Sequence, residues 1–188
     1  GYDIMKSSPI GLYFHIPFCL QKCPYCDFYS LPYSDSAADS YTLALVRALS
    51  GHPYGRRPVD TVYFGGGTPL LLDAERFKAI LAAVRETFTL TEDSEITLEA
   101  NPAASMDMSL SKLRMVGFNR ISFGIQSLRD EELAALGRLH SADCARQAVR
   151  DAKSAGFDNI SADLMLAIPG QTIASMTETI DSLRALPL

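Results

Sequence analysis

The chain switches between two hydrophobic periods along its whole length, and that alternation limits what it can fold into. Residues 11–17, 59–67, 94–100, 119–127 and 159–169 read as strands. Residues 36–51, 73–88, 109–118 and 172–186 read as helices, the second with Asp73 as its N-cap. Residues 129–157 hold one broken helix or two. Repeated βα units call for parallel strands with helices on the outside. The whole chain, residues 1–188, is expected to form a single α/β domain.

The faces of these strands sharpen the fold class. Side chains alternate sides along a strand. Ile121, Phe123 and Ile125 share one side, against Ser122, Gly124 and Gln126 on the other. Ile96 and Leu98 oppose Thr97 and Glu99, while Ile160, Ala162 and Leu164 oppose Ser161, Asp163 and Met165. Val62 and Phe64 oppose Tyr63 and Gly65. A doubly wound sheet is apolar on both faces, and a closed eight-stranded barrel fills its interior with branched side chains. The pattern instead predicts a partial (β/α) barrel whose inner face lines a polar ligand cavity.

Sites of parallel α/β barrels gather at the C-terminal ends of the strands. There the chain places a cysteine loop, then Gly65–Pro69 (GGGTP), then Glu99 and Asn101, then Gln126 and Ser127, and finally Asp163. The loop holds Cys19, Cys23 and Cys26 in the spacing C-x3-C-x2-C. Three readings compete. A disulfide would leave one thiol over, and it fits poorly with the few, clustered cysteines of a reducing cytoplasm. A structural zinc site needs a fourth ligand. His15 and Asp27 are near in sequence, and Cys144 reads as a small buried residue of a distant helix. An iron–sulfur cluster on three thiolates would keep one iron open for an external ligand. The GGGTP segment lets backbone approach a ligand, but it has neither P-loop nor dinucleotide-binding spacing. Glu99 in an apolar strand needs a partner: a ligand amine, ribose hydroxyls, or a structural Arg138 or Lys112. Asp163 and Gln126 pose the same choice. His15 shares a side with Tyr13 and reads as support or core, and His52 as solvated.

The net charge of −5, from 22 acidic and 17 basic residues, gives no basic surface for nucleic acid. No apolar run is long enough to span a bilayer, and the N-terminus lacks a signal-peptide pattern. The residues before Met5 read equally as an expression remnant or a native N-terminus.

The motifs CLQKCPYC, GGGTP, LEANP, GFNRISFGIQS, LGRLHS and DLMLAIPGQT follow one another in order. Together they resemble the radical S-adenosylmethionine (SAM) enzymes, and within them the HemN/HemW family. The resemblance implies a [4Fe–4S] cluster on Cys19, Cys23 and Cys26, whose open iron is chelated by the amino and carboxylate groups of SAM. It implies reductive cleavage of SAM to a 5′-deoxyadenosyl radical. It implies that Tyr13 and Tyr25 flank cluster and SAM, and that the backbone of Gly66, Gly67 and Thr68 meets the methionine amino group. Glu99, Gln126, Arg138 and Asp163 would contact the methionyl and ribose portions, Arg138 on the resemblance alone. One branch of the family, the oxygen-independent coproporphyrinogen III dehydrogenases, carries a further cysteine where this chain has Phe28. The other branch is described as heme chaperones, and Phe28 places the chain there by resemblance. The implied partners are heme or porphyrin, heme-acceptor proteins, and a reductant such as a flavodoxin or ferredoxin. Whether the chain is an enzyme stays open. The family's chains continue into a sixth strand and a C-terminal domain. The present chain is thus expected to be a fragment, with an open fifth strand able to pair with another copy.

Overall fold

The computed structural model describes residues 8–105 and 109–188; the reading of residues 1–4 as a remnant lies outside them. Strand β1 (Ile10–Ile16) leads into a two-residue β2 (Phe18–Cys19), which pairs with β3 (Leu31–Pro32). Helix α1 (Asp35–Leu49), β4 (Pro58–Gly66), a 3-10 turn (Pro69–Leu71), α2 (Ala74–Thr87) and β5 (Thr89–Ala100) follow. The chain continues through α3 (Pro102–Ser105), α4 (Leu110–Val116), β6 (Arg120–Gln126), α5 (Asp130–Ala135), α6 (Ala142–Ser154), β7 (Asn159–Leu164) and α7 (Ile173–Arg184). The main sheet is all parallel in the order β1-β4-β5-β6-β7, with β1 and β7 at its edges. The five expected βα units are all present, and the architecture is the expected partial barrel.

The helices start where side chains can satisfy their free N–H groups. Asp73 accepts from Arg76 N–H, Ser141 from Cys144 N–H, and Thr172 forms a capping box with Ser175. Residues 129–157 resolve into two helices. Gly137, at φ +67°, turns the chain between them in a conformation that costs glycine little. Two strand ends differ from expectation. β5 starts at Thr89 because Thr89 and Leu90 pair with Pro58 and Val59 ahead of a register shift. β7 stops at Leu164, and Ala167 beyond it has φ +59°.

The sheet separates its two faces by residue parity. Outward, Phe14, Val62, Phe64, Ile96, Leu98, Ile121, Phe123 and Ile160 are buried under the helices. Phe64 stacks on Phe14 at 4.7 Å between centroids and meets Phe77 and Phe118 edge-on at 5.3 and 5.4 Å. Each such side chain contributes about 1.5–3 kcal/mol through burial. Inward, the strand register aligns Tyr13, Tyr63, Thr97, Arg120 and Asn159 in one row. Arg120 donates to Thr97 Oγ1 at 3.3 Å and Ser161 Oγ at 2.8 Å, and Ser161 donates to Ser122 at 2.8 Å. Among the described residues, no helix is long and apolar enough to cross a membrane.

Candidate functional site

The cysteine loop is pinned at its base by backbone bonds. Gly67 N–H donates to the Ile16 carbonyl at 2.8 Å, and Thr68 N–H to that of Phe18 at 2.7 Å. On the returning side, Leu31 N–H reaches the Pro17 carbonyl and Tyr33 N–H that of Cys19. His15 adds a side-chain tie, its Nε2 lying 2.9 Å from the Tyr29 carbonyl while Nδ1 lies 3.1 Å from the Tyr13 hydroxyl. His15 therefore supports the loop, in line with its reading from sequence. His52 is partly buried and packs against Tyr54 and Phe88, so it is less solvated than expected.

All four cysteines are free thiols, which removes the disulfide reading. Cys19, Cys23 and Cys26 line one cavity of about 300 Å³ at the C-terminal ends of the strands. Cys144 is half-buried on α6, and burial raises its thiol pKa. Tyr25, Gly66, Gly67, Thr68, Glu99, Gln126, Arg138 and Asp163 line the same cavity, as does Phe28. Tyr13 does not line it. Tyr13 lies on the concave face, stacked on Tyr63 at 6.1 Å, and remains 59% exposed. A larger hollow of about 580 Å³, lined by His52, Arg56 and Glu86, sits between the C-terminal ends of α1 and α2 and contains no cysteine.

Glu99 finds its partners inside the sheet rather than in a salt bridge. The Tyr63 hydroxyl donates to Oε1 at 2.7 Å and Gly66 N–H to Oε2 at 3.1 Å. Among the described residues, neither Arg138 nor Lys112 pairs with it. Burial and the adjacent carboxylate raise the Tyr63 pKa, which keeps the phenol protonated as a donor. Arg138 reaches in from the loop after α5. It donates to the Gly124 carbonyl at 2.7 Å and the Tyr25 hydroxyl at 3.2 Å, with Cys23 Sγ at 3.9 Å. Burial raises the Tyr25 pKa, and Arg138 partly opposes that rise. Asp163 is exposed at the rim, 3.5 Å from Ser122 Oγ.

The glycines also make room within the chain itself. A Cβ on Gly65 would lie 2.8 Å from Glu99 Oε2, and one on Gly67 would lie 2.5 Å from the Phe18 carbonyl oxygen and 3.0 Å from Cys19 Sγ. They let Glu99 and the cysteine loop close against β4. The N–H groups of Gly66, Gly67 and Thr68 are all used within the chain. Carbonyl oxygens, which only accept, are the backbone groups suited to an ammonium ligand.

The donor set fits an iron–sulfur cluster with an amino-acid-bearing cofactor. Thiolates are the usual cluster ligands, one to each iron. Among the described residues, no three His, Cys, Asp or Glu side chains are gathered closely enough to hold one metal ion. The buried Nε of Arg138 has no partner among the described residues, and the guanidinium suits a carboxylate. Reasoning from sequence placed Tyr63 on the cavity side without assigning it a role. It passed over His140 and Glu132, which stand behind the cavity wall.

The sequence pattern of the Radical SAM superfamily matches residues 13–183. The chain belongs to that superfamily. Within it, the chain is 36% identical over 187 residues to heme chaperone HemW of Mycobacterium tuberculosis, covering 97% of this chain and 48% of that protein. It is 39% identical over 184 residues to heme chaperone HemW of Escherichia coli, covering 96% and 48%. Among solved structures, the radical SAM enzyme coproporphyrinogen III oxidase (HemN) of Escherichia coli superposes with a TM-score of 0.83 at 29% identity, covering 95% of this chain and 42% of that one. The chain spans about half the length of the curated relatives it matches.

Proposed function

We propose that this chain binds a [4Fe–4S] cluster and SAM and serves a heme chaperone, which binds heme and passes it to acceptor proteins. The observation that carries the reading is the convergence of three free thiols, the Glu99 carboxylate and the Arg138 guanidinium on one cavity. Cys19, Cys23 and Cys26 would hold the cluster. Carbonyls of the Gly66–Thr68 segment would accept from the methionine amino group, and Arg138 would meet its carboxylate. Glu99, Gln126 and Asp163 would remain for the ammonium and ribose hydroxyls, and Tyr25 would pack beside the cluster. A reduced cluster supplies one electron for cleaving the sulfonium S–C5′ bond of SAM. The protein's own part is to orient and to exclude water. Glu99 in the cavity lining is held by the Tyr63 hydroxyl, and the loop is fixed by its backbone bonds.

Two observations favour the chaperone over the decarboxylating relatives. Identity to the heme chaperones exceeds identity to coproporphyrinogen III oxidase. Phe28 stands at the position of the further cysteine in the decarboxylating branch, and it is 64% exposed. The function needs a reductant, for which a flavodoxin or ferredoxin is suited, and a reducing cytoplasm that keeps the thiols free. Anaerobic reconstitution followed by heme titration and transfer to an apo-acceptor tests the reading. Saturable heme binding and transfer are expected. Turnover of coproporphyrinogen III without heme transfer would replace it with the decarboxylating enzyme.

A further inference from the structure

Strand β6 leaves the sheet through a strained turn. Its register with β7 shifts between Gly124 and Gln126, and Gln126 takes φ +69°. Ser127 N–H returns to the Ile125 carbonyl at 2.9 Å, which makes Gln126 the centre of a positive-φ γ-turn. Such turns are rare and persist only where surrounding contacts hold them. This one brings Gln126 to the cavity wall. Behind it, Ser127 Oγ donates to Glu132 Oε2 at 2.6 Å and accepts from Arg129 N–H at 3.1 Å.

The loop after α5 grips the end of β6 at consecutive carbonyls. Arg138 donates to Gly124, and His140 Nε2 lies 3.2 Å from the Ile125 carbonyl. His140 is only 5% exposed, and its Nδ1 is buried with no partner among the described residues. A carbonyl only accepts, so this bond requires the hydrogen on Nε2 and leaves Nδ1 as an unpaired acceptor. An apolar side chain would fill the same space without that cost. The imidazole is explained by the bond it makes. We propose that His140 is a positioning residue, holding the Ile125 carbonyl so that the strained turn presents Gln126 to the cavity. The proposal rests on the reading of that cavity as the SAM site.

The test is SAM affinity of the anaerobically reconstituted chain, measured by equilibrium dialysis beside iron and sulfide content. His140→Leu is expected to keep its cluster and melting temperature but bind SAM about tenfold more weakly. His140→Gln retains an N–H donor and should recover to within about threefold of wild type. In a Gln126→Ala background, His140→Leu should have no further effect. Unchanged affinity in His140→Leu, failure of Gln to rescue, or additivity with Gln126→Ala would each overturn the proposal. Nitrogen-15 NMR of the wild-type chain before reconstitution decides independently, including where His140→Leu does not fold or where the wild type binds no SAM. That last result would count against the cavity reading alone. A neutral ring with its hydrogen on Nε2 is expected; the Nδ1–H tautomer would refute the proposal.

Discussion

Tyr63 and Phe64 are neighbours in β4 and face opposite ways. Phe64 is fully buried among Phe14, Phe77 and Phe118. Tyr63 donates to Glu99 on the concave face, part of a polar layer that includes Arg120, Ser161 and Ser122. The outer face gains stability by removing apolar surface from water, a non-directional effect. The inner face gains little net stability from its hydrogen bonds, but each fixes the direction of a group that a ligand meets. Damage to the outer face should therefore appear as lost folding energy, and damage to the inner face as lost cofactor at unchanged stability.

The largest effect is expected from the loop above the inner face. Cys23→Ser should abolish cluster loading, read as iron and sulfide per chain, without lowering the thermal midpoint. A large loss of stability in that variant would show the loop to be structural and break the division between faces. On the outer face, Phe64→Ala should cost about 3–5 kcal/mol in denaturant unfolding. The molecules that remain folded should load cluster normally.

Acid provides the next test. Burial, with Arg138 adding to it, lowers the His140 pKa from 6.5 to about 4. The unfolded chain therefore binds the extra proton first as pH falls. Stability should decline from about pH 6.5 and the loss should be complete below about pH 4, amounting to roughly 3 kcal/mol at most. His140→Gln should flatten that window. Glu132 acts below it. Burial opposes its charge, but bonds from Ser127, Ser175 and Gln171 outweigh that and lower its pKa. Its contribution is present above about pH 4.3 and is lost as pH falls through the lowered value. Glu132→Gln should leave the His140 window intact. The smallest effect belongs to Tyr63→Phe. Losing one bond to Glu99 should weaken SAM about fivefold, near 1 kcal/mol, with no change in unfolding energy.

The parity of the strands made most of this division readable from the sequence. Period two assigned Phe64, Leu98 and Phe123 to one side and Tyr63, Glu99 and Gln126 to the other, because a parallel sheet transmits residue parity from strand to strand. Tyr13 has the parity of the cavity side and lies level with Tyr63 and Thr97, below the row of Glu99. Parity gives a face, whereas height along the strand depends on register, which needs the partner strand. The partners of Glu99 were not readable either, since Tyr63 and Gly66 N–H meet it only through the β4–β5 alignment. His140 stands in the loop after α5 and Glu132 on that helix of only 6 residues, too short to show a period, and their roles follow from the turn at Gln126. The glycines were recognised as close-approach positions, and Glu99 and the cysteine loop are among the groups that approach them.

On the proposed function, the three thiols would hold a cluster with one iron left for SAM. Electron paramagnetic resonance of the anaerobically reconstituted, reduced chain, recorded before and after adding SAM, tests it most directly. Iron and sulfide in the proportion of a cubane cluster, and a spectrum that changes when SAM binds, are expected. Zinc without iron or sulfide, or a cluster spectrum indifferent to SAM, would contradict it.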